Sequence, residues 1–182
     1  WGDSYAMHLV GALQEALPSG GASLRQMTLP SCGPVSTVTL VSSAAETRAC
    51  RDFNRQVMDW LASAPGIETV ILSSPFAWLA TPTLTLELHN GSRVPGDLDL
   101  GVAALNRTID ELQLIGLKVI VISPPPTPGW DIGRCLAQRA VYGEALNACD
   151  FYREAPFAPS RLAEEVLVGL ADDVPVVWLG DT

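Results

Sequence analysis

Apolar residues recur along the chain with two periods, and the alternation between them lays out the elements. Ala6, Leu9, Leu13 and Leu17 share one face at helical spacing. They predict a helix over residues 5–17 that stops at Pro18-Ser19-Gly20-Gly21. Leu24, Gln26 and Thr28 alternate with Arg25 and Met27 as a short strand over Ser23–Leu29, before the loop Pro30-Ser31-Cys32-Gly33-Pro34. Phe53, Val57, Trp60 and Leu61 mark a second helix over 44–63, ended by Pro65-Gly66, and Thr69–Ser73 reads as a buried strand. Leu84, Leu86 and Leu88 alternate toward Asn90-Gly91, a hairpin signal, so residues 83–94 form an excursion from the main sheet. Val102, Leu105, Ile109 and Leu112 predict a helix over 99–115, and Lys118–Ile122 a buried strand closed by Pro124-Pro125-Pro126. The segment holding Cys135 and Cys149 reads as an irregular loop with a short helix. Leu162, Val166 and Leu170 give a last helix over 160–171, leading into a strand at Pro175–Leu179.

Helices alternating with short, continuously apolar strands define one α/β domain over residues 1–182, three layers deep, with a mainly parallel sheet. Ligands in such folds bind beyond the carboxyl ends of the strands. Ser4, Ser73-Ser74-Pro75-Phe76, Ser123-Pro124 and Gly180-Asp181-Thr182 are therefore expected on one edge.

Composition narrows the chemistry. Of 182 residues 48% are hydrophobic, yet no apolar run has the length of a bilayer span. The net charge of -9, without clustered Lys or Arg, argues against nucleic acid or an anionic membrane as the main partner. No Cys-x-x-C occurs, and His8 and His89 are the only histidines, so neither a metal site nor a cofactor is expected. The four cysteines fall into two local pairs, Cys32/Cys50 and Cys135/Cys149. Two disulfides in an oxidising compartment is the favoured reading, with four buried thiols as the alternative.

The chemically suggestive motif is Gly2-Asp3-Ser4, which opens the first helix. A helix N-terminus offers free backbone N–H groups and a partial positive charge beside the serine oxygen, where an oxyanion would form. The plainer alternative is that Ser4 or Asp3 is only a helix cap. His8 lies four residues further along the same helix and His89 lies in the hairpin excursion, so neither is well set as the base for Ser4. Trp78 is read either as a wall of an acyl or sugar site or as packing, and Trp130 likewise.

Five features together resemble the SGNH hydrolases, and more narrowly the periplasmic SGNH domains fused to membrane acyltransferases that O-acylate bacterial surface polysaccharides. They are Gly2-Asp3-Ser4-Tyr5-Ala6, Cys32-Gly33-Pro34, Cys50, the run from Val70 to Trp78, and the Cys135/Cys149 loop. The resemblance implies a flavodoxin-like α/β/α fold and a serine acyl-enzyme. Ser4 would be the nucleophile, with its own N–H in the oxyanion hole, while Gly2 and Asp3 order the turn. Gly33 is read either as a further oxyanion donor or as a turn residue between Cys32 and Pro34. The Gly-x-Asn-Asp block of general SGNH enzymes is replaced here by Ser73-Ser74-Pro75-Phe76-Ala77-Trp78. The fused domains also lack that block, so the departure favours the narrower family.

The Asp-x-x-His that supplies the family's general base does not occur in residues 1–182, and no strand precedes Gly2. Truncation at both ends is the expectation that follows, with little or no catalysis from residues 1–182 alone. With no initiating Met or signal peptide, any targeting segment lies outside these residues.

The implied function is acyl transfer to a cell-envelope polysaccharide, usually O-acetylation. It would take place in the periplasm, tethered to the inner membrane through an N-terminal region. The expected partners are a glycan acceptor, an acyl donor and a fused or associated membrane acyltransferase domain. The competing functions are a secreted carbohydrate esterase or lipase, and a glycan-binding module that kept the fold and lost the base.

Overall fold

In the computed structural model, residues 1–17, 21–151 and 158–179 are described. The helix stop at residues 18–20 and the expected edge position of Gly180-Asp181-Thr182 lie outside them.

Helix α1 (Ser4–Ala16) begins where Asp3 accepts a hydrogen bond from the N–H of Tyr5. Strand β1 (Val38–Leu40) precedes α2 (Ala44–Ser63), whose start is a capping box between Ser43 and Glu46. That box satisfies two N–H groups the helix cannot pair internally. Strand β2 (Thr69–Ser73), the single turn α3 (Ala77–Ala80), β3 (Thr85–Leu88) and β4 (Arg93–Pro95) follow. Helix α4 (Leu98–Leu114) is capped by Asp97 and leads through a Gly116 turn to β5 (Lys118–Ile122). Helix α5 (Ile132–Tyr142), a 3-10 turn (Leu146–Cys149), α6 (Ala158–Val168) and β6 (Val176–Val177) complete the order.

The strands form two sheets. β2, β5 and β6 are parallel, with Ser73 level with Ile122 and Ile122 level with Val177. Gly2 lengthens this sheet sideways through parallel bridges to Ser73 and to Thr28. β1, β3 and β4 are antiparallel. The α/β class stands, but the expected mainly parallel sheet does not: the strands divide evenly between the two directions. The reason is local. The Asn90-Gly91 turn folds β3 back on β4, and β1, rich in β-branched residues and not anticipated as a strand, adds to the free edge of β3.

A second difference concerns residues 23–29. Only the stretch around Thr28 finds a partner, Gly2 donating to the Met27 carbonyl and Leu29 to that of Gly2. Among the described residues the segment pairs with Gly2 alone, and no regular strand is formed. Upstream of the contact a groove of about 540 Å³ separates residues 21–28 from β2, with Leu9, Val10 and Leu13 of α1 and Val57, Trp60 and Leu61 of α2 along its walls.

The core is built where sheet and helices meet. Val70, Leu72, Val119 and Val121 alternate with less buried residues along β2 and β5. They join a cluster with Leu105, Ile109 and Leu112 of α4, Val166 and Leu167 of α6, and Phe76 and Leu79. Fully burying one such side chain contributes about 2 kcal/mol. Helix α5 has no buried residue and its described helix partner is the 3-10 turn, to which Cys135–Cys149 ties it.

Candidate functional site

Three segments leave the same edge of the parallel sheet. Gly2 is level with Ser73, and Ser73 with Ile122, so Ser4, Ser74 and Ser123 all follow carboxyl ends of adjacent strands. The anticipated convergence on one edge therefore holds for the described members. At Gly2 there is no room for a side chain, because an added Cβ would collide with the Ser73 carbonyl oxygen and crowd Ala6 Cβ at 2.8 Å. Glycine is needed here for close approach of two strands, which sets the depth at which the turn leaves the sheet.

Ser4 is the first residue of α1 and is half-buried. Among the described residues its N–H and its Oγ have no hydrogen-bond partner. Asp3 beside it is 5% exposed. Its Oδ1 accepts from Tyr5 N–H at 2.9 Å, and its Oδ2 accepts from the Ser74 hydroxyl at 2.8 Å. Burial pushes the Asp3 carboxyl above the usual Asp range, an effect that the bonds from Tyr5 and Ser74 only partly offset. Both oxygens are thus engaged in holding the turn. His8 and His89 are exposed, and neither hydrogen-bonds to Ser4.

The Cys32-Gly33-Pro34 loop is buried and fixed from several sides. Cys32 is bonded to Cys50 of α2, with Cα atoms 5.3 Å apart. Asn54, one turn further along α2, donates to the carbonyls of Gly33 at 2.9 Å and Val35 at 3.0 Å. Its own oxygen accepts from the Trp1 indole at 3.1 Å. Ser36 then ties the loop to α4 through Thr108 and Glu111. Among the described residues the Gly33 N–H has no partner. The second anticipated pair, Cys135–Cys149, is also bonded, so the alternative of four free thiols is not what is seen.

Trp78 is 9% exposed, and its ring forms the wall against which Gly33 lies. A Cβ on Gly33 would sit 2.5 Å from the ring carbon Cζ2. Of the two readings of Trp78, packing is the one observed. Its indole donates to Ser74 Oγ at 3.3 Å. Trp130 is 44% exposed and precedes α5. Phe76, fully buried, adopts a left-handed backbone with φ 54°, a conformation a bulky residue enters only under constraint.

Sequence reasoning placed Ser74 on this edge but did not foresee its bond to Asp3, and it missed Asn54 altogether. Asn54 carried a signal: it stands on the buried stripe of α2 with Cys50, Val57 and Leu61, where an apolar residue is expected. A polar side chain there needs partners, and the Gly33 loop supplies them.

The site is thus a serine at a helix start, beyond the carboxyl end of a parallel sheet, beside backbone N–H groups that are unpaired among the described residues. The family comparison is more particular. The family model described as an SGNH domain fused to AT3 domains matches residues 1–181, and the chain belongs to that family. The family's activity is of the SGNH hydrolase or acyltransferase type, and its members carry the domain fused to an AT3 acyltransferase domain. Neither a search of curated proteins nor one of solved structures returned a significant match.

Proposed function

We propose that residues 1–182 are a single SGNH domain, three-layered and flavodoxin-like. In this reading Ser4 carries an acyl group, as a serine ester, to a hydroxyl of a cell-envelope polysaccharide. The observation behind it is the half-buried Ser4 at the head of α1, with the N–H groups of Ser4 and Gly33 both unpaired among the described residues.

Ser4 Oγ attacks the carbonyl carbon of the acyl donor while its proton passes to a general base. The negative charge that develops on the carbonyl oxygen is met by the two N–H groups and the positive end of α1. Collapse expels the donor's leaving group, which takes up a proton, and leaves acyl-Ser4. A sugar hydroxyl then gives its proton to the base, attacks the ester, and releases Ser4. The Asp-x-x-His that supplies the base in this family does not occur in residues 1–182. The test uses the protein at its natural length.

The fusion partner of this family is an acyltransferase, which favours transfer over hydrolysis. Two disulfides suit an oxidising compartment, consistent with a periplasmic domain working beside a membrane partner that delivers the acyl group. The experiment is to supply the complete polypeptide with an acetyl donor and an oligosaccharide and to follow sugar acetylation by mass spectrometry. Acetylated sugar made by the wild type and lost in Ser4→Ala is the expected result. Free acetate without acetylated sugar would assign the protein to the esterases, and sugar binding with no Ser4-dependent chemistry to the binding modules.

A further inference from the structure

The buried polar groups around Gly2-Asp3-Ser4 form a chain with only one consistent direction. An indole N–H can donate but not accept, so Ser74 Oγ must accept from Trp78 at 3.3 Å. Ser74 has one hydroxyl proton, which it gives to Asp3 Oδ2 at 2.8 Å. Asp3 Oδ1 in turn accepts from the N–H of Tyr5 in the first turn of α1. Ser74 is wholly buried and Asp3 and Trp78 nearly so. Inside protein, bonds aligned head to tail strengthen one another, and a broken link leaves an unpaired group that water cannot reach. At the far end, the Trp78 ring is in contact with Gly33.

This chain spans the two backbone segments that the proposed reaction needs at a fixed separation. We propose that Ser74 and Trp78 are positioning residues, which couple the Ser4 turn to the Gly33 loop and set the spacing of their two N–H groups. The inference rests on the serine acyl-enzyme reading. It goes beyond it by assigning work to Ser74 and Trp78, which touch no reacting atom. It also accounts for Gly33: any side chain there would displace the indole and with it the end of the chain. The strained Phe76 backbone lies between Ser74 and Trp78, where the main chain must turn sharply to bring the indole back onto the Ser74 hydroxyl.

The test measures phosphonylation of Ser4 in the complete polypeptide by a small fluorophosphonate, as a function of reagent concentration. Such a reagent places a phosphoryl oxygen where the oxyanion would lie. Ser74→Ala is expected to lower the maximal rate about tenfold while leaving the half-saturating concentration within twofold, because donor spacing matters at the transition state and not on first binding. Trp78→Phe, which keeps a ring and loses the N–H, is expected to do the same more weakly. Ser74→Thr restores the hydroxyl and should recover most of the rate. Asp3→Asn, which retains a helix cap, provides a second break in case Ser74→Ala fails to fold.

Hydrogen–deuterium exchange is read in parallel on peptides covering residues 31–36. Ser74→Ala and Asp3→Asn should both speed exchange there, although neither residue lies in that loop. An unchanged maximal rate in folded Ser74→Ala and Asp3→Asn would overturn the inference and leave the acyl-enzyme reading standing. A wild type that does not react at Ser4 would remove the acyl-enzyme reading. The coupling would then be judged on exchange alone, and unaltered exchange at 31–36 in both variants would overturn it too.

Discussion

Asn54 donates to the carbonyl of Gly33 at 2.9 Å from a position on α2 that is 2% exposed, so a buried helix residue holds a loop of the candidate site. The same side chain meets Val35 and Trp1, and the substitution Asn54→Leu would strand the Val35 carbonyl and the Trp1 indole N–H away from water. Buried groups left unpaired cost about 1–3 kcal/mol each, and the Gly33 carbonyl keeps one partner in the N–H of Val35. We expect Asn54→Leu to lose about 3 kcal/mol in urea unfolding. A loss below about 0.5 kcal/mol would mean the loop is held by other means.

Gly33→Ala brings a methyl against Trp78 rather than into open space. Overfilling of a packed interior costs about 1–3 kcal/mol, and the ring can yield only by giving up its bond to Ser74. The near-ultraviolet circular dichroism of the folded variant should change accordingly. Gly11→Ala is the control for the added methyl alone, since nothing lies near its absent side chain and its backbone is not left-handed.

Periodicity made most of this fold legible. The stripes through Val57 and Leu61, and through Leu105, Ile109 and Leu112, placed α2 and α4 within about a residue of where they lie. Local signals failed where pairing depends on distant partners. Residues 23–29 alternate like a strand but among the described residues pair only with Gly2, while β1 exists because β3 offers it an edge. The turn at Ser4 could be read because its chemistry is compressed into three consecutive residues. Ser74 and Trp78 act through contacts that cross about 70 and 45 residues of chain, and no spacing rule reports such contacts.

Asp3 gives a pH dependence of a sign opposite to that of most carboxylates. Burial raises its folded-state value above that of the unfolded chain, so the folded protein holds the proton more tightly. The stabilising contribution is complete below the unfolded value, about 3.9, and is lost as pH rises through the folded one. Asp3→Asn removes this term. The stability difference, wild type minus Asp3→Asn, should therefore fall as pH rises from about 3.5 toward neutrality in paired urea titrations. A difference that grows with pH would contradict the assigned direction.

The two disulfides should differ in reach. Cys32–Cys50 joins residues 18 apart and both sulfurs sit in the core, so a double serine variant should lower global stability by about 3 kcal/mol. Cys135–Cys149 staples α5, which buries nothing. Its removal should speed hydrogen exchange across residues 132–149 while the unfolding midpoint of the remaining core moves little.

The account turns on Ser4 as the group that carries the acyl chain. The most direct measurement is intact-mass and peptide mass spectrometry of the complete polypeptide, trapped at short times with a radiolabelled acetyl donor. The reading predicts a single acetyl ester on the peptide that contains Ser4, formed and consumed as oligosaccharide is added, and absent from Ser4→Ala. Sugar acetylation that survives in Ser4→Ala, or an acetyl ester found only elsewhere in the chain, would contradict it.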